Sequence, residues 1–412
     1  MKCTAIICEY NPFHNGHKYL IDRAKEITKC DYVIAVMSGN YVQRGGPAVC
    51  DKWTRAEMAL MNGIDAVIEI PSVYSAGSAQ FFAEAAVDII NKTGIVDYIA
   101  FGSESSDEEH LLSIAKMRLE NAESFKSQLK ATLKSGISYS AAMEHVLGTK
   151  LKSNDILAVE YLAALQKSNS KVKPIIIKRA GNTEHTDAAL PDAANASDEQ
   201  SSEIIFTSAS AIRNALKKHS VADIPNGLIP DETAKKLSET IERQGGTVLL
   251  ENYSQIIFYC LRKLQPEGIR RLPYISEGFE YKLYEAACKT SDLQSLIDFC
   301  ISTRYTRTRV KRILTALLTG SSAFYSAKWH NNLPYIRILG FRKNSAQLIS
   351  ELSSSAQVPL IIQPAKALPN LPKSARMLLE LEKEATDNYV LGYNNKDLRD
   401  AGQEYTKKVV IV

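Results

Sequence analysis

The first half of the chain alternates short apolar runs with longer segments in which apolar residues recur every three or four positions. Five apolar runs predict strands, at residues 4–8, 32–37, 66–70, 98–101 and 172–177. Four segments predict amphipathic helices, at residues 18–27, 53–62, 79–91 and 156–166. This alternation predicts an α/β fold with a parallel, Rossmann-like sheet and helices on both faces. Ligands of such folds bind at the carboxyl ends of the strands.

The alternation ends after about residue 221. A polar segment at 181–202 predicts a long loop, residues 224–230 predict a linker, and helical patterns dominate to about residue 320. Two further strand candidates, at 333–340 and 358–363, have no evident place in a topology. Since 412 residues exceed one small core, we expect two domains: a catalytic domain at 1–220 and a mostly helical, basic domain at 221–412.

Composition is that of an ordinary soluble globular protein, with 45% hydrophobic and 23% charged residues. The formal net charge of +4 does not by itself indicate a nucleic-acid partner, so any RNA site has to be a local patch. The number of cysteines, seven, is odd and none form CxxC, which favours reduced thiols over disulfides or a zinc site. With no signal-peptide pattern and no apolar run near 20 residues, we expect a cytoplasmic protein without a membrane partner. The pattern does not indicate an oligomeric state.

The strongest candidate for chemistry follows the first predicted strand, in the string Glu-Tyr-Asn-Pro-Phe-His-Asn-Gly-His at residues 9–17. It places His14 and His17 at the start of a helix, where free backbone N–H groups favour an anion. Gly16 leaves no side chain between the backbone and a bound group. Two imidazoles there can donate hydrogen bonds to phosphate oxygens as charge moves during a reaction. Two surface histidines in a loop are the alternative interpretation.

A second candidate is the segment Ser-Ala-Ser-Ala-Ile-Arg at residues 208–213. Ser208 is a candidate N-cap of a helix whose apolar face is Ala211, Ile212, Ala215 and Leu216. Hydroxyls, free N–H groups and the Arg213 guanidinium at one helix end suit a pyrophosphate leaving group. A capped surface helix is the alternative.

Both segments resemble known motifs. His14-Asn-Gly-His17 after a first strand is similar to the HxGH motif of the HIGH-type nucleotidyltransferases, and residues 208–213 are similar to their S-[ST]-x-x-[IV]-R signature. The string at 9–17, with Val-Met-Ser-Gly-Asn at 36–40 and Gln-Arg-Gly at 43–45, resembles the tRNA(Met) cytidine acetate ligase family. Members of that family use ATP and acetate to acetylate the wobble cytidine of elongator methionine tRNA.

The resemblance implies an ATP site, whose residues would be Ile7, Cys8, Glu9, Tyr10, Asn11, Pro12, Phe13, His14, Asn15, Gly16, His17, Lys18, Tyr19, Leu20, Gly102, Asn154, Arg179 and Ala180. Three of these have other interpretations. Asn154 could be a helix N-cap, Arg179 a solvated strand end and Gly102 a plain turn glycine.

The densest basic segment lies in the second half, at residues 302–312, and lacks acidic residues. Its cationic side chains are Arg304, Arg307, Arg309, Lys311 and Arg312. Helical spacing would put Arg304, Arg307 and Lys311 on one face. A phosphodiester backbone is a fitting partner, so we expect tRNA to bind here, with a solvated charged face as the alternative.

The resemblance implies an ATP-dependent ligase that forms acetyl-AMP and transfers the acetyl group to N4 of the wobble cytidine. His14 and His17 would stabilise the transferring phosphoryl group, while Ser208 and Arg213 would hold the departing phosphates. We expect Mg²⁺ to assist, and no residue is predicted as its protein ligand. A nucleotidyltransferase that adenylylates a phosphorylated small molecule and a non-catalytic RNA-binding protein are the alternatives.

Overall fold

The computed structural model describes residues 1–105, 107–120, 122–134, 139–149, 151–179, 207–217, 221, 224–225, 227–276, 278–330 and 332–412. Ala180 and the loop predicted at 181–202 lie outside these residues.

In the described residues, eight strands form one sheet. They are β1 (Cys3–Cys8), β2 (Tyr32–Ser38), β3 (Ala66–Ile70), β4 (Tyr98–Ser103), β5 (Lys173–Lys178), β6 (Ile336–Phe341), β7 (Leu360–Ile361) and β8 (Val410–Ile411). The strand order is β5-β4-β1-β2-β3-β6-β7, with β8 pairing with β6. Strands β1 to β5 are mutually parallel, which confirms the predicted α/β fold with its Rossmann-like sheet.

Nine helices precede the predicted linker: α1 (Asn15–Thr28), α2 (Lys52–Met61), α3 (Ser72–Ser75), α4 (Ala79–Thr93), α5 (Glu108–Glu120), α6 (Ala122–Lys134), α7 (Tyr139–Leu147), α8 (Ser153–Lys167) and α9 (Ala209–Leu216), counted over the described residues. The four predicted helices are α1, α2, α4 and α8. Helices α5 to α7, between β4 and α8, have no counterpart in the sequence prediction.

The remaining described helices are α10 (Asp231–Gln244), α11 (Ser254–Ile269), α12 (Phe279–Lys289), α13 (Leu293–Cys300), α14 (Arg307–Leu318), α15 (Ala323–Lys328), α16 (Ala346–Ser355), α17 (Pro364–Ala367), α18 (Lys373–Val390) and α19 (Gln403–Thr406). Helices α10 to α15 form the predicted helical stretch. None of the helices in the described part of the chain is long and apolar enough to cross a bilayer.

The C-terminal strand candidates find their place in the same sheet. Strand β6 pairs antiparallel with β3, and β7 and β8 pair with β6. The sheet therefore extends across the predicted boundary at residue 220, while the division into two domains stays a prediction.

Two hydrophobic cores lie on the two faces of the sheet. Along β1, Cys3, Ala5 and Ile7 belong to one core, whereas Ile6 and Cys8 belong to the other, because successive strand side chains point to opposite faces. A third core joins helices α11 to α14 with α18. A strand buried on both faces reads as a continuous apolar run, which explains why the sequence pattern revealed these strands.

Buried charges join the C-terminal helices to the sheet. Lys52 Nζ lies 2.6 Å from Glu69 Oε1 on β3 and 2.6 Å from Glu404 Oε2 on α19, and all three side chains are fully buried. Glu382 on α18 accepts hydrogen bonds from the Ser72 amide and hydroxyl. The Lys52 ion pairs fix α19, and the hydrogen bonds from Ser72 fix α18, against the end of β3.

The strand order predicts a ligand crevice between β1 and β4. Successive strands from β1 run outward through β2 to β3, and the next two lie on the opposite side of β1 as β4 and β5. At such a switch point, the loops after neighbouring strands diverge and leave room for a ligand. The segment that follows β1 is residues 9–17, which we call the histidine turn.

Candidate active site

The histidine turn begins a helix through its own side chains. His14 is the N-cap of α1, with extended backbone angles (φ −149°, ψ 173°). Its Nδ1 accepts a hydrogen bond of 3.1 Å from the Gly16 amide, and His17 Nδ1 accepts one of 3.2 Å from the His14 amide. This reciprocal pattern is a capping box in which imidazoles replace the usual hydroxyl and carboxylate. The two rings stack with centroids 3.8 Å apart.

The hydrogen bonds assign the tautomers of both histidines. Since Nδ1 of each ring accepts from a backbone amide, the proton of the neutral imidazole belongs on Nε2. Burial, then Arg179 and Arg213, lower the pKa of His14 to about 3. Burial and the neighbouring His14 and Arg179 also hold the pKa of His17 well below its usual range. Both rings are therefore neutral near pH 7 and present Nε2–H donors.

The sequence analysis expected free backbone amides at the start of α1 that could bind an anion. In the structure, the first amides of this helix already donate hydrogen bonds within the protein. The Asn15 amide donates to the Leu228 carbonyl at 3.1 Å, the Gly16 amide donates to His14 Nδ1, and the His17 amide donates to the His14 carbonyl at 2.8 Å. Anion-binding capacity at this turn therefore resides in side chains.

Gly16 has a structural role in the turn, and its predicted contact with ATP stays a prediction. A Cβ at this position would lie 2.9 Å from His14 Cε1 and 3.1 Å from His14 Nδ1. The imidazole folds back over the glycine to reach its amide, so the missing side chain is what allows the cap to form.

The second motif lies against the first. Ser208 is the N-cap of α9, as predicted, and its hydroxyl accepts a hydrogen bond of 3.1 Å from the Ala211 amide. Arg213 Nη1 donates to the Asn11 carbonyl at 2.7 Å, and Nη2 donates to Ser210 Oγ at 2.9 Å. The structure thus brings together Ser208, Arg213 and the histidine turn.

Gly102 lies near the end of β4, and Arg179 directly follows the neighbouring strand β5 at the same rim. Gly102 is part of β4, not a plain turn, and pairs with Ile177 of β5. A Cβ on Gly102 would lie 3.2 Å from Arg179 Cγ, so the arginine stem passes over the glycine. The Arg179 amide donates to the Ser103 carbonyl at 3.0 Å, and its side chain is exposed. Together with its electrostatic effect on both histidines, this places Arg179 beside the histidine turn.

Asn154 lies inside a helix, and its interpretation as an N-cap is wrong. Helix α8 starts at Ser153, with Lys152 as its N-cap residue. The Asn154 amide and side chain both donate to the Glu104 carboxylate just beyond β4. The buried Asp155 accepts from the Ser103 hydroxyl and the Glu104 amide, so the start of α8 is fastened to the end of β4.

The other predicted ATP-binding residues surround the imidazoles or fix the turn. Ile7 and Cys8 end β1 in the core, and the rings of Tyr10 and Phe13 lie 4.9 and 5.5 Å from that of His17. Asn11, which precedes Pro12, accepts from the Val49 amide at 2.9 Å.

Glu9 and the start of α1 complete this set. Glu9 accepts from the Gln43 amide, Asn15 donates to the Gly227 carbonyl, and Lys18 pairs with Asp22. Tyr19 and Leu20 are half-buried on α1.

Arg55 on α2 is a residue that the sequence reasoning missed. It is fully buried, and its guanidinium donates to the carbonyls of Glu9 at 2.7 Å, Ser38 at 3.1 Å and Gly39, while Nε donates to Cys50 at 3.2 Å. It therefore holds the ends of β1 and β2 at fixed separation. An arginine among the buried residues of a predicted helix was the available signal.

The basic segment at residues 302–312 is helical only from Arg307 onwards, so part of the predicted helix face is not formed. Thr306 is the N-cap of α14, so Arg304 precedes the helix and does not share a helical face with Arg307 and Lys311. Arg309 lies over the Tyr305 ring at 4.1 Å and donates to the Tyr274 carbonyl, and Arg312 donates to the Gln43 carbonyl. These two arginines are bound within the fold.

The same segment adjoins the active-site motifs. Burial, then the charges of Lys217, Arg307 and Arg213, lower the pKa of Lys311, opposed by Glu251. Lys311 on α14 and Arg213 on α9 are therefore electrostatic neighbours, although they lie in the two predicted domains. Arg213 in turn contacts the histidine turn through the Asn11 carbonyl.

The chain is similar to proteins of known activity over its full length. The family model described as HIGH Nucleotidyl Transferase matches residues 1–404. The tRNA(Met) cytidine acetate ligases of Acetivibrio thermocellus and of Thermoanaerobacter sp. (strain X514) are each 38% identical, with 100% of both chains covered. The crystal structure of Thermotoga maritima TmcAL bound with alpha-thio ATP is 30% identical and superposes with a TM-score of 0.88, covering 100% of this chain and 99% of that one.

These similarities agree with the two motifs and with the strand order that brings them together. They confirm the resemblance drawn from residues 9–17, 36–40 and 43–45. The chain belongs to the tRNA(Met) cytidine acetate ligase family, within the HIGH nucleotidyl transferases.

Proposed function

We propose that this protein is a ligase that uses ATP and acetate to form acetyl-AMP and then acetylates N4 of the wobble cytidine of elongator tRNA(Met). The observation that carries the proposal is the pair of neutral imidazoles whose Nε2–H groups lie at the β1–β4 switch point, tied to Arg213 by the Asn11 carbonyl. Relatives that carry the ligase name and match the whole chain support the same activity.

ATP would occupy the crevice above β1 and β4. The adenosine would lie towards Gly102, Asn154 and Arg179, with Ala180 next in the chain, and the triphosphate would lie between the histidine turn and the start of α9. The structural neighbour bound with alpha-thio ATP supports a nucleotide site in this fold. Neutral imidazoles suit this task because they donate hydrogen bonds without the cost of burying two positive charges.

In the first half-reaction, a carboxylate oxygen of acetate attacks the α-phosphorus of ATP. The bond from the α-phosphorus to the bridging oxygen breaks, and pyrophosphate leaves with the electron pair. His14 and His17 donate Nε2–H hydrogen bonds to the oxygens of the transferring phosphoryl group, where charge builds up. Arg213 and Ser208 hold the departing phosphates at the start of α9.

In the second half-reaction, the exocyclic N4 of cytidine attacks the acetyl carbonyl of the adenylate. A C–N bond forms, the C–O bond to AMP breaks, and N4 loses a proton. The target base has to leave its stack to reach the crevice. The basic segment beside Arg213, with Arg304, Arg307 and Lys311 as its candidate phosphate contacts, would hold the RNA for this step.

We propose that Mg²⁺ enters with ATP. The side chains proposed to face the triphosphate, those of His14, His17, Ser208 and Arg213, are N–H or O–H donors that suit phosphate, and the described residues contain no group of three or more His, Cys, Asp or Glu that could hold a metal ion. Mg²⁺ is commonly held by substrate phosphates and water, where it neutralises phosphate charge. With tRNA as the substrate, we place the activity in the cytoplasm.

The test is pyrophosphate release by the purified protein with ATP and acetate, with and without bulk tRNA, followed by mass analysis of the tRNA nucleosides. We expect acetate-dependent release and acetylcytidine in the tRNA. Absence of acetate-dependent release under both conditions would contradict the proposal and favour adenylylation of a phosphorylated small molecule.

A further inference from the structure

A tight turn lies between the histidine turn and α14. We call residues 41–47 the glycine turn. Tyr41 and Pro47 form a β-bridge across its base, the Val42 amide donates to the Gly46 carbonyl at 3.1 Å, and the Gly45 amide donates to the Val42 carbonyl at 3.0 Å. Gly45 and Gly46 have φ values of 81° and 130°, which L side chains rarely adopt, so the turn depends on both glycines.

Both sides of the glycine turn are fixed by contacts. On one side, the Gln43 amide donates to Glu9 Oε1 in the histidine turn at 2.8 Å. On the other, Arg312 Nε donates to the Gln43 carbonyl at 2.9 Å, and a Cβ on Gly45 would lie 2.6 Å from the Arg312 amide nitrogen. The turn is therefore wedged between the candidate ATP site and the basic helix.

The side chain of Arg44, in the middle of this turn, takes no part in these contacts. It is exposed, and its guanidinium makes no hydrogen bond or ion pair with any part of the chain that the structure describes. Its neighbours Gln43 and Gly45 supply the contacts that hold the turn. The Arg44 guanidinium is therefore carried by a turn whose backbone is fixed, next to Lys311 and Arg312 of α14.

We propose that Arg44 binds a backbone phosphate of the RNA substrate beside the nucleotide that enters the crevice. This inference rests on the proposed function. A guanidinium matches a phosphate with two parallel hydrogen bonds, and a support that is already ordered reduces the entropy lost on binding. Arg179 and Arg213 lie at the histidine turn, where the triphosphate is proposed, whereas the glycine turn packs directly against α14. That difference favours an RNA phosphate over one of ATP.

The experiment compares Arg44→Gln and Arg44→Lys in the full-length protein with the wild type. Binding of unmodified tRNA is measured over a series of salt concentrations, and adenylation is measured separately as acetate-dependent ATP–pyrophosphate exchange without tRNA. We expect Arg44→Gln to weaken tRNA binding on the order of tenfold and to lower the salt slope by about one. Arg44→Lys should keep the slope and lose part of the affinity, because it keeps the charge but not the fork. The KM for ATP should not change.

Lys366 on α17 provides a matched control, since it is an exposed cation at the β7 edge of the sheet. Lys366→Gln should bind tRNA as the wild type does. If Arg44→Gln raises the KM for ATP and leaves tRNA binding unchanged, the phosphate belongs to ATP and the inference is wrong. Unchanged tRNA binding and unchanged exchange would also overturn it. Failure of the wild type to form acetylcytidine would instead count against the proposed function, because the binding measurement needs no turnover.

Discussion

Arg213 Nη1 lies 2.7 Å from the carbonyl oxygen of Asn11, a hydrogen bond between residues 202 positions apart in the chain. Asn11 also accepts from the Val49 amide through its side chain, so one residue links the histidine turn to two distant segments. These bonds hold the histidine turn and the start of α9 in a fixed relative position. A phosphate group bound by one motif is therefore within reach of the other.

Replacement of Arg213 by Lys should slow adenylation more than the retained charge would suggest. Lysine lacks the planar fork that donates to the Asn11 carbonyl and Ser210 Oγ together. We expect acetate-dependent ATP–pyrophosphate exchange to fall by about 10²-fold. Ser210→Ala, which removes only the second contact, should stay within a few-fold of the wild type. Near-normal exchange by Arg213→Lys would show that the fork is unimportant.

His14→Asn and His17→Asn separate the catalytic from the structural role of each imidazole. At both positions the asparagine oxygen can replace Nδ1 as an acceptor while the Nε2–H donor is lost, and at position 14 Asn is also a favoured N-cap residue. We expect each variant to lose about 10²–10³ in adenylation rate with little change in melting temperature. His14→Ala should lose stability as well, by about 1 kcal/mol. Exchange rates equal to the wild type would remove the imidazoles from the mechanism.

Acid should destabilise the fold through His14. Its pKa is about 3 in the folded protein against an ordinary 6.5, so the unfolded chain binds more protons between these values and the free energy of unfolding falls as the pH drops below 6.5. At pH 5, the lowered pKa of His14 should reduce the free energy of unfolding by about 2 kcal/mol. Urea unfolding at pH 7.5 and pH 5 measures it. His14→Asn should lose less stability between the two pH values, and an equal loss in both proteins would contradict the assignment.

Arg55→Ala should destabilise the protein strongly, because three carbonyl oxygens at the ends of β1 and β2 and that of Cys50 before α2 would lose a charged donor. We expect the free energy of unfolding to fall by about 3 kcal/mol. Arg23→Ala is the control: Arg23 is half-exposed on α1 and pairs with Glu26, so its loss should cost less than about 0.5 kcal/mol. Chemical denaturation of both variants tests the difference, and similar midpoints would show that Arg55 does not fix the strand ends.

The basic segment should divide into two groups of residues. Arg307→Ala and Lys311→Ala should weaken tRNA binding and lower its salt slope by about one each, with adenylation retained. Arg309→Ala should instead reduce the melting temperature, because it removes the contact with the Tyr305 ring and the donors to the Tyr274 carbonyl. Salt-dependent binding and thermal unfolding distinguish the two. A loss of adenylation with unchanged tRNA affinity in Arg307→Ala would contradict the placement of the RNA.

The fold was predictable where local pattern and burial agree. The five parallel strands and helices α1, α2, α4 and α8 follow from apolar periodicity, and Ser208 was recognisable as an N-cap. Helix α5 has a weak apolar stripe, and the short strands β7 and β8 take their conformation from pairing with β6. The candidate at 358–363 contains β7, but a two-residue strand such as β8 shows no periodic pattern of its own, so β8 and α5 were not predictable.

The sequence by itself determined the chemistry of this protein, because the HxGH string and the Ser208–Arg213 segment carry their residue types in fixed local order. Tertiary structure decided how those groups act. Burial beside two arginines makes the histidines neutral, hydrogen bonds to Nδ1 place their protons on Nε2, and long-range contacts bring Arg213, Arg55 and α14 to one rim. Burial and the distances between charges exist only in the folded protein, because they depend on residues from distant parts of the sequence.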